Sequence, residues 1–408
     1  MVATIDIEKF RALFEGDEEF AVIDPRSERD FANGHLLAAC NLPLPRIKYL
    51  IKNLVPHKDT LCILCDSGNG EAGLAAHELS TLEYDRTVVL EGGLIAWEQS
   101  GGAVFSGVSV PGKAFGEYIE MSCGTPAMTA AELKKLMDAG QAPLLIDART
   151  IEEHESYCIP GALFCGGAEL LYRVAAKAAL NEEIVVHCGG RTRSIIGAQT
   201  LIDAGFEKVK ALENGTMAWQ AEGLELEQGS LDALPLPGPE HLSQIQDRAK
   251  RLAEQWYIDR IHSIPKRDER TRYLIDVRSL EEFEQGHVRG SVHIPGGHLV
   301  QNVDRYLVVR NATVILIDSD RVRAITAAIW LRRMGWRRVF VFSLDSDPSL
   351  LETGPGDVPS PVEDRDLDPS DYENQEELLR RNQAYLDWEI ALIDQLPGEP
   401  AASYFGVR

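Results

Sequence analysis

The stretch Val185-Val186-His187-Cys188-Gly189-Gly190-Arg191-Thr192-Arg193-Ser194 places a thiol, two glycines and two guanidinium groups within ten residues. An apolar run leads into the cysteine, a short Gly-rich turn follows, and a helical pattern continues from Ser194 to Ala204. A strand, a tight loop and a helix in that order set the loop N–H groups at a helix N-terminus. Such a loop binds anions and lowers a thiol pKa. Cys188 is therefore expected to be a nucleophile held as thiolate, with Gly189, Gly190, Arg191, Thr192, Arg193 and Ser194 around the bound substrate. Gly189 and Gly190 relax the backbone so that N–H groups turn inward. Arg191 and Arg193 suit a dianionic substrate better than a neutral or monoanionic one. His187 points to the other side of its strand, so a His–Cys ion pair is not expected.

The elements that must hold this loop recur. Val22-Ile23-Asp24-Pro25-Arg26, Leu145-Ile146-Asp147-Ala148-Arg149 and Leu274-Ile275-Asp276-Val277-Arg278 each end a short apolar strand in Asp-x-Arg. Eleven residues after each Asp stand His35, Cys158 and His287. After 41, 41 and 42 residues come Cys65, Cys188 and Asp318, each at the end of a second apolar strand. A helix rich in Ala and Leu and a further strand follow in each copy. The first two copies close on Glu91-Gly92-Gly93 with Trp97 and on Glu213-Asn214-Gly215 with Trp219. Strands alternating with helices at this spacing imply α/β units around a parallel sheet, and each copy is long enough to be a domain of about 110 residues. The expected divisions are residues 1–107, 124–228, 239–345 and 346–408. Gly101 to Gly116 and Gly229 to Pro239 read as joining stretches. Pro239 to Ile261 carries an amphipathic helical pattern, and Asp345 to Asp371 reads as linker. A last helix over about Asn374–Leu396 shows an apolar stripe that should pack back on the body.

A net charge of −23 argues against general binding to nucleic acid or anionic membrane. No apolar run approaches the length of a bilayer span, and the N-terminus lacks the pattern of a signal peptide. Seven cysteines, without a secretory leader, suit reduced thiols in the cytoplasm.

The Asp-x-Arg strand ends, Gly34-His35 and Gly286-His287, the Cys188 loop and the closing Gly-Gly or Asn-Gly with Ala-Trp resemble rhodanese-type sulfurtransferases. More narrowly, Asn214-Gly215-Thr216-Met217-Ala218-Trp219 and Tyr273-Leu274-Ile275-Asp276-Val277-Arg278 resemble the multi-domain bacterial members. The resemblance implies three tandem rhodanese-like α/β domains, each a small parallel sheet flanked by helices, plus a C-terminal helical tail. It also implies transfer of sulfane sulfur through a persulfide on Cys188. A donor such as thiosulfate would load the thiol, and cyanide or another thiol would unload it. No cofactor or metal is implied, and an acceptor protein is a further candidate partner.

Within that frame Cys65, in Cys65-Asp66-Ser67-Gly68-Asn69-Gly70-Glu71, has acidic neighbours that raise a thiol pKa, and its distance of 32 residues to Trp97, against 31 in the second copy, reads as a longer loop. The first copy is expected to be inactive. So is the third, where Asp318 replaces the nucleophile. Cys62 and Cys65 form Cys-x-x-Cys but should face opposite sides of one strand. Asp147 and Arg149, present in every copy, read as a supporting ion pair. Arg173 is a candidate at the mouth of the site, and Cys158 and Cys165 are candidate resolving thiols. Two rivals stand beside sulfur transfer: a delivery scaffold that docks a protein partner, and a phosphatase or arsenate reductase on the same fold. The six-residue loop from Cys188 to Arg193 disfavours the second.

Overall fold

The computed structural model describes residues 2–265, 270–356, 374–403 and 405–406. Three five-stranded parallel sheets share one strand order. In the first domain the order across the sheet is Ala3–Ile5, Thr87–Leu90, Leu61–Leu64, Phe20–Asp24, Ala39–Asn41. The second runs Ala127–Met128, Lys208–Leu212, Glu183–His187, Leu144–Asp147, Leu163–Phe164. The third runs Asp259–Ile261, Val339–Ser343, Thr313–Asp318, Arg272–Asp276, Val292–His293. The central strands are apolar on both faces, as strands covered by helices on both sides must be. Alternate residues feed two separate cores. In the first domain Cys62 and Leu64 face one core and Ile63 and Cys65 the other.

The domains are welded together. Val309–Arg310 of the third copy adds an antiparallel strand to the first sheet beside Phe20–Asp24. The Gly101–Gly116 stretch is not simply a joining segment, because its second half enters a helix, Val110–Cys123. The glycines that suggested a linker serve close packing. A Cβ on Gly112 would lie 2.2 Å from the Gln301 carbonyl, and one on Gly116 would meet Thr192 at 3.0 Å. Val110, Ala114, Phe115 and Ile119 are buried on this helix, and burying each large one contributes about 1.5–3 kcal/mol. The helix thus touches the third copy, the Cys188 loop and the tail. The amphipathic pattern from Pro239 to Ile261 forms a helix over Pro239–Gln255 and then gives way to the strand Asp259–Ile261, so the helix is shorter than its pattern.

Residues 357–371 of the expected linker lie outside the described residues. The tail helix spans Gln375–Ala391 and runs into a 3₁₀ turn, Leu392–Gln395. It does pack on the body. Leu392 is buried in the core of the first domain, and the Trp388 ring sits where a Cβ on Gly107 would be only 2.3 Å away. Among the described residues no helix is long and apolar enough to cross a membrane.

Candidate active site

Cys188 follows the strand Glu183–His187 and stands four residues before the helix Thr192–Asp203. Strand register identifies its counterparts. Val186 is opposite Ile146, Leu64 is opposite Ile23, and Leu316 is opposite Ile275. Counting two residues on gives Cys188, Asp66 and Asp318. Two further contacts agree. The N–H groups of Thr216 and Leu94 donate to the carbonyls of Cys188 and Asp66, both at 2.9 Å. A Cβ on Gly215 or Gly93 would approach those same carbonyls to 2.2 Å. The residue at the nucleophile position of the first domain is therefore Asp66, and Cys65 corresponds to His187. The equivalence of Cys65 with Cys188 and the longer loop are both corrected. From Asp66 to Trp97 is 31 residues, as from Cys188 to Trp219, and the extra residue of the first copy lies before the loop.

The two sister loops are filled by their own carboxylates. Asp66 accepts from the N–H of Gly68 at 2.8 Å and of Ala72 at 2.9 Å. Asp318 accepts from Ser319, Arg323 and Ala324 at 2.8, 2.9 and 3.2 Å. In the middle loop the corresponding N–H, that of Ser194, faces the Cys188 sulfur instead. The Ser194 hydroxyl donates to the Arg191 carbonyl at 2.7 Å. Among the described residues, no protein acceptor takes the N–H of Gly189 or Gly190. Neither glycine has a positive φ. The left-handed residues are Asn214 and Gly215, under the loop. Gly190 instead lets the tail helix come close. A Cβ there would meet Glu389 Oε2 at 3.2 Å and Tyr385 Cε1 at 3.3 Å, both on the tail helix.

Cys188 is buried, and burial pushes its thiol up, opposite to the lowering expected of the loop. Arg193 and Ser194 pull it down, while Glu389 adds to the rise. The loop effects act in the expected direction, but in this closed geometry desolvation outweighs them. Burial and the carboxylates Asp24 and Asp66 push Cys65 up further. Cys158 is pushed up to about 11 by burial, and Cys165 well above its usual value. Both are therefore poor thiolates where they stand.

The loop cations are held by carboxylates distant in sequence. Arg191 bonds Glu117 at 2.7 and 2.8 Å, reaches Glu120, and meets Asn214 at 3.1 Å. Arg193 pairs with both oxygens of Glu153, at 2.6 and 2.8 Å. The third domain repeats this pair as Arg323 with Glu282, at 2.6 and 2.9 Å, so the contact belongs to the scaffold of the loop. Thr192 donates its hydroxyl to Glu389 at 2.5 Å. Arg173 bonds Glu169 and, at 2.5 Å, the Leu234 carbonyl. Neither partner belongs to the Cys188 loop.

Beneath the loop, Asp147 takes Arg149 Nη2 at 2.7 Å and Nε at 3.0 Å, and Arg149 also holds the Tyr157 carbonyl. The braces Asp24–Arg26 and Asp276–Arg278 have the same form and reach the Gly34 and Gly286 carbonyls. Among the described residues, only the middle brace has histidine nitrogens within 4 Å of its carboxylate; in the third copy His293 meets the Arg278 carbonyl instead, at 2.8 Å. His154 Nδ1 lies 3.0 Å from Asp147 and His187 Nε2 lies 3.8 Å away. Against the cost of burial, His187, Arg149 and His154 hold the Asp147 carboxyl far below its usual range. Burial lowers His187 to about 4, so at neutral pH the holding charge is that of Arg149. The signal for this cluster was in the sequence: seven residues after the brace Asp the sister copies have Phe31 and Phe283, and the middle copy has His154.

Comparison with known proteins agrees with the repeated architecture. Residues 6–100, 129–222 and 255–345 match the rhodanese-like domain. The whole chain is similar to the crystal structure of a thiosulfate sulfurtransferase from Pseudomonas aeruginosa, at 29% identity and a TM-score of 0.86, with 100% of both chains covered. A Bacillus subtilis protein named as a sulfur carrier is 28% identical over 189 residues, 44% of this chain and 90% of that protein. An HTH-type transcriptional regulator of Mycobacterium tuberculosis is 36% identical over 111 residues, 26% of this chain. The match spans about half (48%) of that regulator's length. The chain thus belongs to the rhodanese-like domain family, as three tandem copies followed by a helical tail.

Proposed function

We propose that the protein transfers sulfane sulfur through a persulfide on Cys188, taking it from a small donor such as thiosulfate and giving it to cyanide or a thiol. The observation that carries this reading is the contrast at one structural position. Asp66 and Asp318 close their own loops, whereas Cys188 brings a thiol to a loop whose Gly189 and Gly190 N–H groups have no protein acceptor among the described residues. The similarity to a thiosulfate sulfurtransferase over the full chain supports it.

In the first step the Cys188 thiolate attacks the outer sulfur of thiosulfate. A new S–S bond forms, the old one breaks, and sulfite leaves with the electron pair. The loop N–H groups stabilise the charge on the terminal sulfur. In the second step the acceptor attacks that sulfur and Cys188 leaves as thiolate. The guanidinium of Arg193, held by Glu153, favours the thiolate in both steps. The remaining loop residues, Gly189 to Ser194, surround the donor, Asp147 and Arg149 brace the strand below, and Arg173 stays a peripheral candidate. The free cysteines suit a reducing compartment such as the cytoplasm.

Thiocyanate formation from thiosulfate and cyanide tests the reading. Wild-type protein and Cys65→Ala should both turn over, and Cys188→Ala should not. Intact mass after donor treatment should show one added sulfur, on Cys188. If no donor adds sulfur to Cys188, the docking-scaffold alternative replaces this one.

A further inference from the structure

The tail helix brings a carboxylate to the one loop that does not supply its own. Glu389 is buried, with 1% of its surface exposed. One oxygen accepts the Thr192 hydroxyl at 2.5 Å, and the other flanks Gly190. Packing fixes this placement. Leu386 is buried beside it on the same helix, Trp388 Nε1 donates to the Ser106 carbonyl at 3.1 Å, and Lys113 Nζ lies 5.2 Å from the Tyr385 and Trp388 ring centres. The two loop cations are already engaged by Glu117, Glu120 and Glu153. With Glu389, four carboxylates stand against three cations, the two guanidinium groups and the buried Lys113 ammonium, so a second negative charge on a donor meets repulsion that a first does not fully meet.

We propose that Glu389 is a specificity-determining residue of the Cys188 site, setting it against doubly charged sulfur donors and in favour of donors carrying one negative charge or none. The inference rests on the sulfur-transfer reading above and narrows its substrate class. Thiosulfate then remains a donor, but one used below the capacity of the loop. The charged groups that act on the thiol are Arg193 from the following helix and Glu389 from the tail, and Arg191 with its partner Glu117 and the buried Lys113 of the helix Val110–Cys123 complete the charged groups around the loop.

The test compares thiosulfate with methanethiosulfonate, a near-isosteric monoanion in which a methyl group replaces one charged oxygen. Glu389→Gln keeps the shape and an acceptor for Thr192 but removes the charge. It should raise kcat/KM about tenfold for thiosulfate and only about threefold for methanethiosulfonate, because the repulsion scales with donor charge. Glu389→Asp should keep the wild-type preference. An unchanged ratio of the two donors in Glu389→Gln, in protein with a wild-type melting profile, overturns the proposal. A second readout needs no turnover. The pH dependence of Cys188 alkylation by iodoacetamide, followed by peptide mass, should shift to lower pH in Glu389→Gln. If neither donor loads Cys188 in any variant, the sulfur-transfer reading falls. The alkylation profile then still decides whether the Glu389 charge acts on the thiol, and an unmoved profile overturns that as well.

Discussion

The Cys188 loop and the Asp318 loop are built alike. Each follows a central strand, each has its fifth residue on an Arg, and each Arg pairs with the third residue of the helix after the brace, Arg193 with Glu153 and Arg323 with Glu282. They differ at the first residue. A carboxylate there folds into the loop and accepts its N–H groups, whereas a thiol leaves them for something else. One substitution therefore separates a structural loop from a candidate reactive one, and the scaffold around it is nearly indifferent to the choice. A charged cradle alone is weak evidence of chemistry in this fold. What identifies the reactive copy is a nucleophile in a cradle that nothing internal fills.

The largest effect should come from removing that nucleophile. Cys188→Ser keeps the size of the side chain but offers a far poorer nucleophile, and thiosulfate–cyanide turnover should fall by about a thousandfold or more. Cys188→Ser combined with Asp318→Cys should recover part of that turnover, because one residue separates the two loops, and no recovery would break the comparison by showing that the scaffold is not indifferent to it. Next in size is the brace. Arg149→Met leaves the buried Asp147 without its bidentate partner, and the unfolding free energy should fall by about 3–5 kcal/mol, read from denaturant titration. Arg278→Met, which strips the same partner from Asp276, should behave alike. A loss under about 1 kcal/mol in either variant would deny the brace its structural part.

A smaller effect depends on pH. His187 is buried and lowered to about 4, while the unfolded chain protonates it near its ordinary value. The neutral form favours the fold, so its contribution is whole above about pH 6.5 and is lost as pH falls toward 4, by about 3 kcal/mol in total. Asp147, held low, acts only below its ordinary value and leaves this window clear. His187→Cys copies the first domain, where Cys65 occupies the position. The stability difference between wild type and variant should narrow by that amount between pH 6.5 and 4, and a constant difference would sink the assignment.

Much of this was legible in the sequence because the fold repeats itself. Three Asp-x-Arg strand ends mark three sheets, and the closing Trp97 and Trp219 mark two of the loops' far sides. Counting forward from Asp24 nevertheless selected Cys65, since that copy carries one more residue between brace and loop, while counting back from Trp97 lands on Asp66. The backward count is the safer one, because the loop carbonyl bonds the closing turn directly. The partners of Arg191 and Arg193 could not be read, because Glu117 and Glu153 are 74 and 40 residues away. Gly112 and Gly116 looked like linker glycines, and only packing shows that they admit neighbouring backbone. Glu389 was equally hidden. A charged residue on an amphipathic helix ordinarily marks the solvated face, and only the docking of that helix turns it inward.

The smallest expected effect concerns the filled loop itself. In Asp318→Asn one oxygen becomes an NH₂ group: at Oδ2 it cannot accept the N–H groups of Arg323 and Ala324, and at Oδ1 it cannot accept from Ser319 and faces the Arg323 guanidinium. The unsatisfied donors should cost about 1–3 kcal/mol of unfolding free energy. Asp320, raised to about 7 by burial and by Asp318, should titrate at lower pH once that neighbour is neutral, as NMR of its carboxyl carbon would show. Turnover at Cys188 should not change, since the Asp318 carboxylate acts within its own loop. A large loss of thiosulfate–cyanide activity in Asp318→Asn would mean that the third domain holds the second in its working shape. Its filled loop would then be a support for the reactive copy, and the likeness between the two loops would extend from architecture to function.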